Sequence, residues 1–370
     1  MAPIVGCTTG SSSGTSSCDR HSRGSSREVA MSYRYLGNKT RLTEWIVGEI
    51  SRVLPAGSSI ADPMCGTASV SMALARAGYS VTAADALTFP VVHARTRLLA
   101  KQAPAFKALG GYGDALEWMS SAAPVKGYFF KEFGEAGQPA NGRTPRLYFS
   151  ADNAAHIDGI RKGILELAGA GQIDEVEHSV LLHHLILATN KVANISGTYG
   201  YFRRTLSGPA LRPLTFDPLE FESTPGDHTV MHGPVEDLAS TLKTDAVYLD
   251  PPYTKRQYAG NYHVLETLAR EDEPVAAGDG GLRPWMEQAS DFCYRRSAGQ
   301  AFRETLKRLS AKHVFISYSE DGQVQEDELF SILSDFGTVT LHEQPHVRYR
   351  SNDRVKDGSV LERLYHVEAF

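Results

Sequence analysis

The stretch Ile60-Ala61-Asp62-Pro63-Met64-Cys65-Gly66-Thr67-Ala68-Ser69-Val70 runs from an apolar segment through a tight turn into a second apolar pattern. Its beginning predicts a strand, and the apolar positions between Val70 and Ala77 predict a helix. Gly66 allows the backbone to approach a ligand closely, and the amino terminus of the following helix attracts a carboxylate or a phosphate. This order of elements predicts the first unit of a Rossmann-like α/β sheet.

An acid ends the next predicted strand, Val81-Thr82-Ala83-Ala84-Asp85. In a doubly wound sheet, an acid at the end of the second strand lies where a ribose can donate both of its hydroxyls. Such a pattern would suit a dinucleotide, but the glycine pattern GxGxxG is absent. Asp62, Gly66 and Asp85 are therefore candidate ligand-binding residues without a ligand assigned by this pattern alone.

The stretch Ala246-Val247-Tyr248-Leu249-Asp250-Pro251-Pro252-Tyr253 predicts a buried strand that ends at a double proline. The Asp250 carboxylate and the Pro251 carbonyl become two neighbouring acceptors, and Tyr253 adds a flat face. This set suits a planar amine, such as that of adenine, of cytosine or of a glutamine side chain. The alternative is a loop in which the prolines only turn the chain.

A third stretch, Arg34-Tyr35-Leu36-Gly37-Asn38-Lys39-Thr40-Arg41-Leu42, places an aromatic ring, a flexible turn and a cation ahead of a predicted helix near residues 44–50. Together and in this order, the three stretches resemble the D12 class of S-adenosylmethionine-dependent adenine-N6 DNA methyltransferases, which includes the Dam-like enzymes. Further stretches resemble its restriction-modification members; they are 194–202, 256–263, 315–319 and 348–352. The likeness covers most of residues 31–370.

The resemblance implies a class I methyltransferase fold: a Rossmann-like sheet with helices on both faces, an antiparallel C-terminal hairpin and an inserted, mainly helical target-recognition domain. It implies methyl transfer from S-adenosylmethionine to N6 of a flipped adenine, with the cofactor bound by Tyr35, Gly37, Lys39, Asp62, Gly66, Asp85 and Asp250. The catalytic residues that it implies are Asp250, Pro251, Pro252 and Tyr253. The alternatives are an RNA adenine methyltransferase and a catalytically silent DNA-binding relative.

One departure from the family pattern lies at Pro234 in the segment 232–238. Family members often carry an acid there, and it accepts from the adenine ring of the cofactor. Two replacements are open: Asp237, or backbone groups alone.

Clusters of cationic residues indicate where the chain would contact nucleic acid, although the net charge of the whole chain is −5. Residues 191–213 contain four cations, three aromatic rings and no acid. A solvated loop is the alternative interpretation of this stretch, and the cations of 295–308 are better explained as a solvated helix face. With the resemblance, the predicted DNA-binding residues are Asn194, Arg203, Arg204, Arg256, Tyr258, Arg348 and Arg350.

The chain divides into a Ser/Gly-rich leader predicted to be disordered (1–30), a catalytic domain (31–114 and 228–370) and the recognition insertion (115–227). Met31 is an alternative start of translation. The four cysteines form no CxxC pair and the histidines form no HExxH, so we predict no metal site.

Neither an apolar run of about 18 residues nor a secretory signal is present. We therefore expect a cytoplasmic chain, monomeric or weakly dimeric. Its expected partners are double-stranded DNA and a cognate restriction endonuclease.

Overall fold

The strand ahead of Gly66 is an interior strand of a mixed β-sheet in the computed structural model, which describes residues 35–141, 144–347 and 359–370. Within these residues the sheet has seven strands. They are β1 (Ser59–Asp62), β2 (Ser80–Asp85), β3 (Thr229–His232), β4 (Ala246–Leu249), β5 (His313–Ser319), β6 (Gly337–Val347) and β7 (Ser359–Ala369).

The helices are α1 (Thr43–Ser51), α2 (Ser69–Arg76), α3 (Thr88–Leu99), α4 (Tyr112–Ser121), α5 (Tyr128–Phe133), α6 (Ala151–Gly169), α7 (Glu175–Val192), α8 (Val235–Leu238), α9 (Tyr258–Asn261), α10 (His263–Ala269), α11 (Ala298–Arg308) and α12 (Glu326–Ser334). They alternate with the strands from α1 to α3 and again from β3 to β4 and from α11 to β6, whereas among the described residues α3 to α7 and α9 to α11 follow one another without a strand between them. The predictions for the leader 1–30 and for Met31 lie outside the described residues.

The strand order is β3-β2-β1-β4-β5-β7-β6. The first five strands pair in parallel, whereas β7 is antiparallel to β5 and to β6. The chain builds outward from β1 on one side and from β4 on the other, so the topological switch point lies between these two strands. The Rossmann-like sheet and the predicted C-terminal hairpin are both confirmed.

Helices cover both faces of this sheet, as predicted. Successive side chains of a strand point to opposite faces, so Ile60 packs with α1, α2 and α3, whereas its neighbour Ala61 packs with α8, α11 and α12. The sequence does not reveal β3. This short edge strand has half-buried and exposed side chains only, and therefore carries no apolar alternation.

The regular elements of the region predicted as a recognition insertion are helices, namely most of α4 together with α5, α6 and α7, and a short 3-10 helix at Gly208–Leu211. Helix α7 has buried side chains on all sides because it packs against α3, α6 and α10. Helix α4 begins at Tyr112, ahead of the predicted boundary. All described residues belong to one compact unit, and the role of the insertion in recognition stays a prediction.

None of the helices in the described ranges is both long and apolar enough to cross a bilayer.

Helix α7 offers a test of local stabilisation because a complete capping box begins it. The Asp174 side chain accepts from the backbone N–H groups of Val176 and Glu177, and the Glu177 side chain accepts from the Asp174 N–H. Asp174→Ala should lower the free energy of unfolding by about 1 kcal/mol, because two helix N–H groups lose their acceptor. Urea denaturation measures this, and Asp174→Asn, which can still cap, should stay close to the unsubstituted protein. Equal losses in both variants would contradict the capping account.

Candidate active-site cleft

A deep cleft opens at the carboxyl ends of β1 and β4, where the strand order reverses. Its empty space, counted out to the open mouth, is about 1170 Å³. The segments that line it include residues 35–39, the turns after β1, β2 and β4, the loop 234–236, residues 257–259 and residues 287–290. Ligands of open α/β sheets bind at such a switch point, so this cleft is the candidate functional site.

The loop 35–39 forms one wall and is held by aromatic side chains. Tyr258 donates its hydroxyl to the Leu36 carbonyl at 2.9 Å, and the Leu36 N–H donates to the Tyr262 hydroxyl at 2.7 Å. Gly37 has φ +71°, and a Cβ there would lie 2.9 Å from the Tyr258 hydroxyl. The residue must therefore be glycine for the loop to lie this close to Tyr258.

The turn after β1 brings Gly66 and Asp85 together. Gly66 has φ +52°, and a Cβ at this position would lie 3.0 Å from the Tyr35 ring. The Asp85 carboxylate accepts from the Gly66 N–H and from the Leu87 N–H, both at 3.0 Å. Burial raises the pKa of Asp85 to about 7, although these hydrogen bonds oppose the shift.

Asp62, the last residue of β1, has one carboxylate oxygen without a partner. Ser71 donates to its Oδ2 at 2.5 Å, whereas Oδ1 is buried and accepts no hydrogen bond among the described residues. Burial raises the pKa of Asp62 to about 7. A buried acceptor without a donor is costly, so the cleft is suited to a ligand that supplies one.

Asp250 follows β4 and makes an ion pair with Lys39. The Lys39 ammonium lies 3.1 Å from Asp250 Oδ1 and 2.9 Å from Oε1 of Glu362 on β7. Burial raises the pKa of Asp250 to about 6, and Lys39 opposes this rise. Burial alone would lower the pKa of Lys39, but Asp250 and Glu362 together raise it well above its usual value.

Tyr253 completes the loop that follows β4. The Lys39 ammonium lies 5.1 Å from the centroid of its ring, within the range of a cation–π contact. The Tyr253 carbonyl accepts from the Gln323 N–H at 3.0 Å, which ties this loop to the one after β5. Pro251, Pro252 and Tyr253 all line the cleft, as the sequence predicts for an aromatic face beside a carboxylate.

Residues 287–290 form a wall that the sequence does not predict. The Gln288 amide donates to Glu266 Oε1 at 2.9 Å, and its own oxygen is buried without a hydrogen-bond donor in the described part of the chain. The Gln257 side chain holds Ser290 by two hydrogen bonds to its backbone, each 2.8 Å long. Residues Met286–Gln288 form a short 3-10 helix, which has no periodic pattern to find in a sequence.

Pro234 stands where the sequence resemblance leads one to expect an acid, and a carboxylate two residues later lines the cleft. Glu236 lines the cleft together with Pro234 and Val235, whereas Asp237 is exposed and does not. Burial raises the pKa of Glu236 above its ordinary value. Of the two replacements that the sequence leaves open, Asp237 does not line the cleft, and Glu236 is a neighbouring carboxylate that does.

Two of the residues predicted to contact DNA have other roles. Asn194 is 0% exposed, and its amide group binds the backbone of Leu147, Arg203, Thr205 and Ser207, so it cannot reach a base edge. The Tyr258 hydroxyl binds Leu36 in the cleft wall, and its ring lies beside Tyr35. Both residues do have specific contacts, but their polar groups bind the protein's own backbone.

The predicted cationic contacts differ in their surroundings. Arg203, Arg204 and Arg256 are exposed. Lys191, of the same basic stretch as Arg203, pairs with Asp217, and Arg303, on the helix face interpreted as solvated, pairs with Asp335. Arg348 and Arg350 lie outside the described residues.

Among the described residues, no group of three or more His, Cys, Asp or Glu side chains could hold a metal ion.

Comparison with known proteins identifies relatives along most of the chain. The model of the D12 class of N6 adenine-specific DNA methyltransferases matches residues 35–325. Modification methylase LlaI of Lactococcus lactis subsp. lactis is 33% identical, covering 88% of this chain and 53% of that protein. Type II methyltransferase M.FokI of Planomicrobium okeanokoites is 29% identical, covering 90% and 52%.

Type II methyltransferase M.NlaIII of Neisseria lactamica is also 29% identical, covering 90% of this chain and 98% of that protein. The chain thus spans about half the length of LlaI and M.FokI and nearly all of M.NlaIII. Among solved structures, the magnesium protoporphyrin IX methyltransferase of Synechocystis with bound SAM matches with a TM-score of 0.33 and 10% identity, covering 89% of this chain and 79% of that chain.

The buried carboxyl of Asp62 predicts a pH dependence of stability. Its pKa is raised from 3.8 to about 7 in the folded protein, so between these values the folded state holds a proton that the unfolded state has released. Raising the pH through this window therefore destabilises the protein relative to Asp62→Asn, by on the order of 1 to 4 kcal/mol at pH 8. Chemical denaturation from pH 4 to 8 measures the difference between the two proteins.

Asp245 provides a control of opposite sign. Hydrogen bonds from the Ser59 N–H and hydroxyl lower its pKa, so Asp245→Asn should be less stable than the unsubstituted protein by a constant amount above pH about 4, and this difference should shrink as the pH falls below about 4. A difference for Asp62→Asn that does not change with pH would contradict the raised pKa.

Proposed function

The chain belongs to the D12 class of N6 adenine-specific DNA methyltransferases, and from this membership we propose that it transfers a methyl group from S-adenosylmethionine to N6 of adenine in a specific double-stranded DNA sequence. The observation that carries the proposal is the convergence of Asp62, Asp85 and Asp250 on one cleft at the carboxyl ends of β1, β2 and β4. It acts as the modification enzyme of a restriction-modification system, with a cognate endonuclease as partner, or as an orphan methylase.

The donors of S-adenosylmethionine match the acceptors of the cleft. Its α-ammonium group suits the unpaired Oδ1 of Asp62, and its ribose hydroxyls suit Asp85. Its adenine amine suits Glu236, which takes the place of the acid absent at Pro234. The wall of Tyr35, Gly37 and Gly66 gives the cofactor a close-fitting backbone surface, and we assign the cofactor contacts to these residues with Lys39 and Asp250 as further lining.

When bound, the cofactor supplies an electrophilic methyl group on a sulfonium, which becomes a neutral thioether. The chain's own task is to hold the target amine in line with that group. Lys39 occupies Oδ1 of Asp250, so Oδ2 and the Pro251 carbonyl remain as acceptors for the N6 hydrogens. Acceptors fixed where positive charge develops on nitrogen, together with correct orientation, supply the rate enhancement.

Tyr253 stacks on the target base in this proposal. Its ring is half-buried at the end of the double-proline segment, where it packs edge-on against Tyr318 at 6.2 Å. A base that is stacked in a duplex cannot reach the cleft, so the adenine must be flipped out of the helix before transfer. One proton leaves N6 for the solvent after the new N–C bond has formed.

The DNA backbone is proposed to contact the exposed cations Arg203, Arg204 and Arg256. Arg256 directly precedes Gln257, whose side chain lines the cleft, so a phosphate held there lies near the flipped base. Arg348 and Arg350 are proposed as further contacts on the basis of the sequence alone. The residues 115–227 are proposed to recognise the target sequence.

An RNA adenine methyltransferase is the alternative that uses the same cleft, and a catalytically silent DNA-binding protein is the second. Transfer of a labelled methyl group to duplex DNA, compared with total RNA, separates the three. Incorporation into DNA supports the proposal, incorporation into RNA alone supports the first alternative, and cofactor binding without transfer supports the second. Long-read sequencing of DNA from expressing cells then locates the methylated adenine.

Asp250 is the residue on which the chemistry depends. Asp250→Ala should reduce methyl transfer to DNA by at least about 1000-fold, because the amine loses its fixed acceptor. The fold should persist, since Glu362 still pairs with Lys39. The assay is transfer of a tritiated methyl group, with thermal unfolding as a check of folding. Asp227→Ala, at an exposed carboxylate ahead of β3, is the control, and near-normal turnover by Asp250→Ala would rule out this assignment.

Arg203 and Arg204 should contribute to DNA affinity through phosphates. The double substitution to alanine should weaken binding of any duplex and reduce the slope of log K against log salt concentration by about 1 for each phosphate that is no longer neutralised. Fluorescence anisotropy at several salt concentrations measures both quantities. Arg303→Ala, which removes a cation of α11 paired with Asp335, should change neither. An unchanged slope for the double variant would show that these arginines do not bind phosphate.

A further inference from the structure

Glu362 is a buried acid that is distant in sequence from the three stretches that define the cleft. It is on β7, is 4% exposed, and faces Ser319 of β5 in the strand register. Its Oε1 accepts from the Ser317 hydroxyl at 2.9 Å and contacts the Lys39 ammonium at 2.9 Å. A carboxylate this buried costs free energy unless partners compensate it, and here the compensating cation belongs to the candidate active site.

Lys39 connects Glu362 to the reaction centre. Its ammonium lies between two carboxylates, 3.1 Å from Asp250 and 2.9 Å from Glu362, and it faces the Tyr253 ring at 5.1 Å. Lys39 is 4% exposed, so these contacts have little competition from water. We call Glu362, Lys39 and Asp250 the ion triad.

We propose that Glu362 is a positioning residue, which acts through Lys39 to fix both the location and the charge of Asp250. The inference rests on the proposed function, in which Asp250 binds the amine that receives the methyl group. Glu362 itself touches neither substrate nor cofactor in this account.

The positional part follows from the elements that carry the three residues. Lys39 comes from a loop ahead of α1, and its ammonium ends a flexible four-carbon stem. Glu362 comes from a strand in the middle of the β5-β7-β6 part of the sheet and is fixed further by Ser317. A rigid second anchor holds the ammonium against Oδ1 of Asp250, so that the other oxygen stays available to the amine.

The electrostatic part follows from the groups that face Asp250. Lys39 lowers the pKa of Asp250, whereas burial and the Glu362 charge raise it. Asp62 lies close enough for its pKa to be raised by Asp250, and Tyr248, Tyr253 and Tyr258 are the other titratable neighbours. Removing the charge of Glu362 while keeping its shape should therefore lower the pKa of Asp250, and removing the Lys39 charge should raise it.

Three variants separate position from charge. Glu362→Gln keeps an oxygen for Lys39 and Ser317 and removes the charge; Glu362→Leu removes both; Lys39→Met removes the cation. Glu368→Gln, on the same strand and paired with exposed Lys312, is the matched control. Each protein is checked by thermal unfolding and by S-adenosylhomocysteine binding in a calorimeter.

The first readout is the titration of the Asp250 carboxyl, followed by carbon-13 NMR and assigned with Asp250→Asn. Its midpoint should fall by about half a pH unit or more in Glu362→Gln and rise by at least as much in Lys39→Met. This readout needs no turnover, so it tests the ion triad even in a protein that methylates no DNA. An unmoved midpoint in both variants would overturn the charge role of Glu362.

The second readout is methyl transfer as a function of pH. The acidic limb of the profile should move with the NMR midpoint, to lower pH in Glu362→Gln. In Glu362→Leu, kcat at the plateau should fall about 10- to 100-fold with little change in S-adenosylhomocysteine affinity, and Glu362→Gln should restore most of it. Normal kcat in Glu362→Leu would refute the positional role, whereas absence of transfer by the unsubstituted protein would refute the proposed function and not the ion triad.

Discussion

The withdrawal of three carboxylates from bulk water into one cleft is the constraint to which the surrounding structure responds. Asp62 and Asp85 have pKa values of about 7 and Asp250 one of about 6, with burial as the largest cause for each. Each acid is partly compensated: Asp62 by a hydroxyl, Asp85 by two backbone N–H groups, and Asp250 by an ammonium. The part of the desolvation free energy that these partners do not compensate favours a ligand that brings cationic and hydrogen-bond donor groups into the cleft.

The sheet brings these acids together because parallel strands end at the same edge. Asp62 and Asp85 end β1 and β2, and Asp250 follows β4, which pairs with β1. The turn after β1 can form the floor of the cleft only because Gly66 adopts a positive φ and has no Cβ that would clash with Tyr35. Strand order therefore sets the spacing of the acids, and one glycine keeps the space between them open.

The sequence predicts this edge well because each acid ends a strong local pattern, in which an apolar strand is followed at once by a carboxylate and a turn. It does not predict Gln288, which lines the cleft, or Glu362, which pairs with Lys39 of the cleft wall, because both positions depend on contacts between distant parts of the chain. The choice between Glu236 and Asp237 depends on the phase of the four-residue helix α8, which no periodicity reveals. Asn194 was wrongly predicted as a base contact because a polar residue in a loop can equally bind the backbone of that loop.

The negative net charge of the chain is compatible with a DNA partner because the acids and the cations occupy different places. Asp62 and Glu362 are buried, and Asp85 and Asp250 lie within the cleft, whereas Arg203, Arg204 and Arg256 are exposed. Phosphates are attracted by cations at the surface, while the field inside the cleft favours the positively charged cofactor and amine. The proposed methylation of a flipped base requires this separation, because a polyanion would bind at the surface and a positively charged cofactor would bind beneath it.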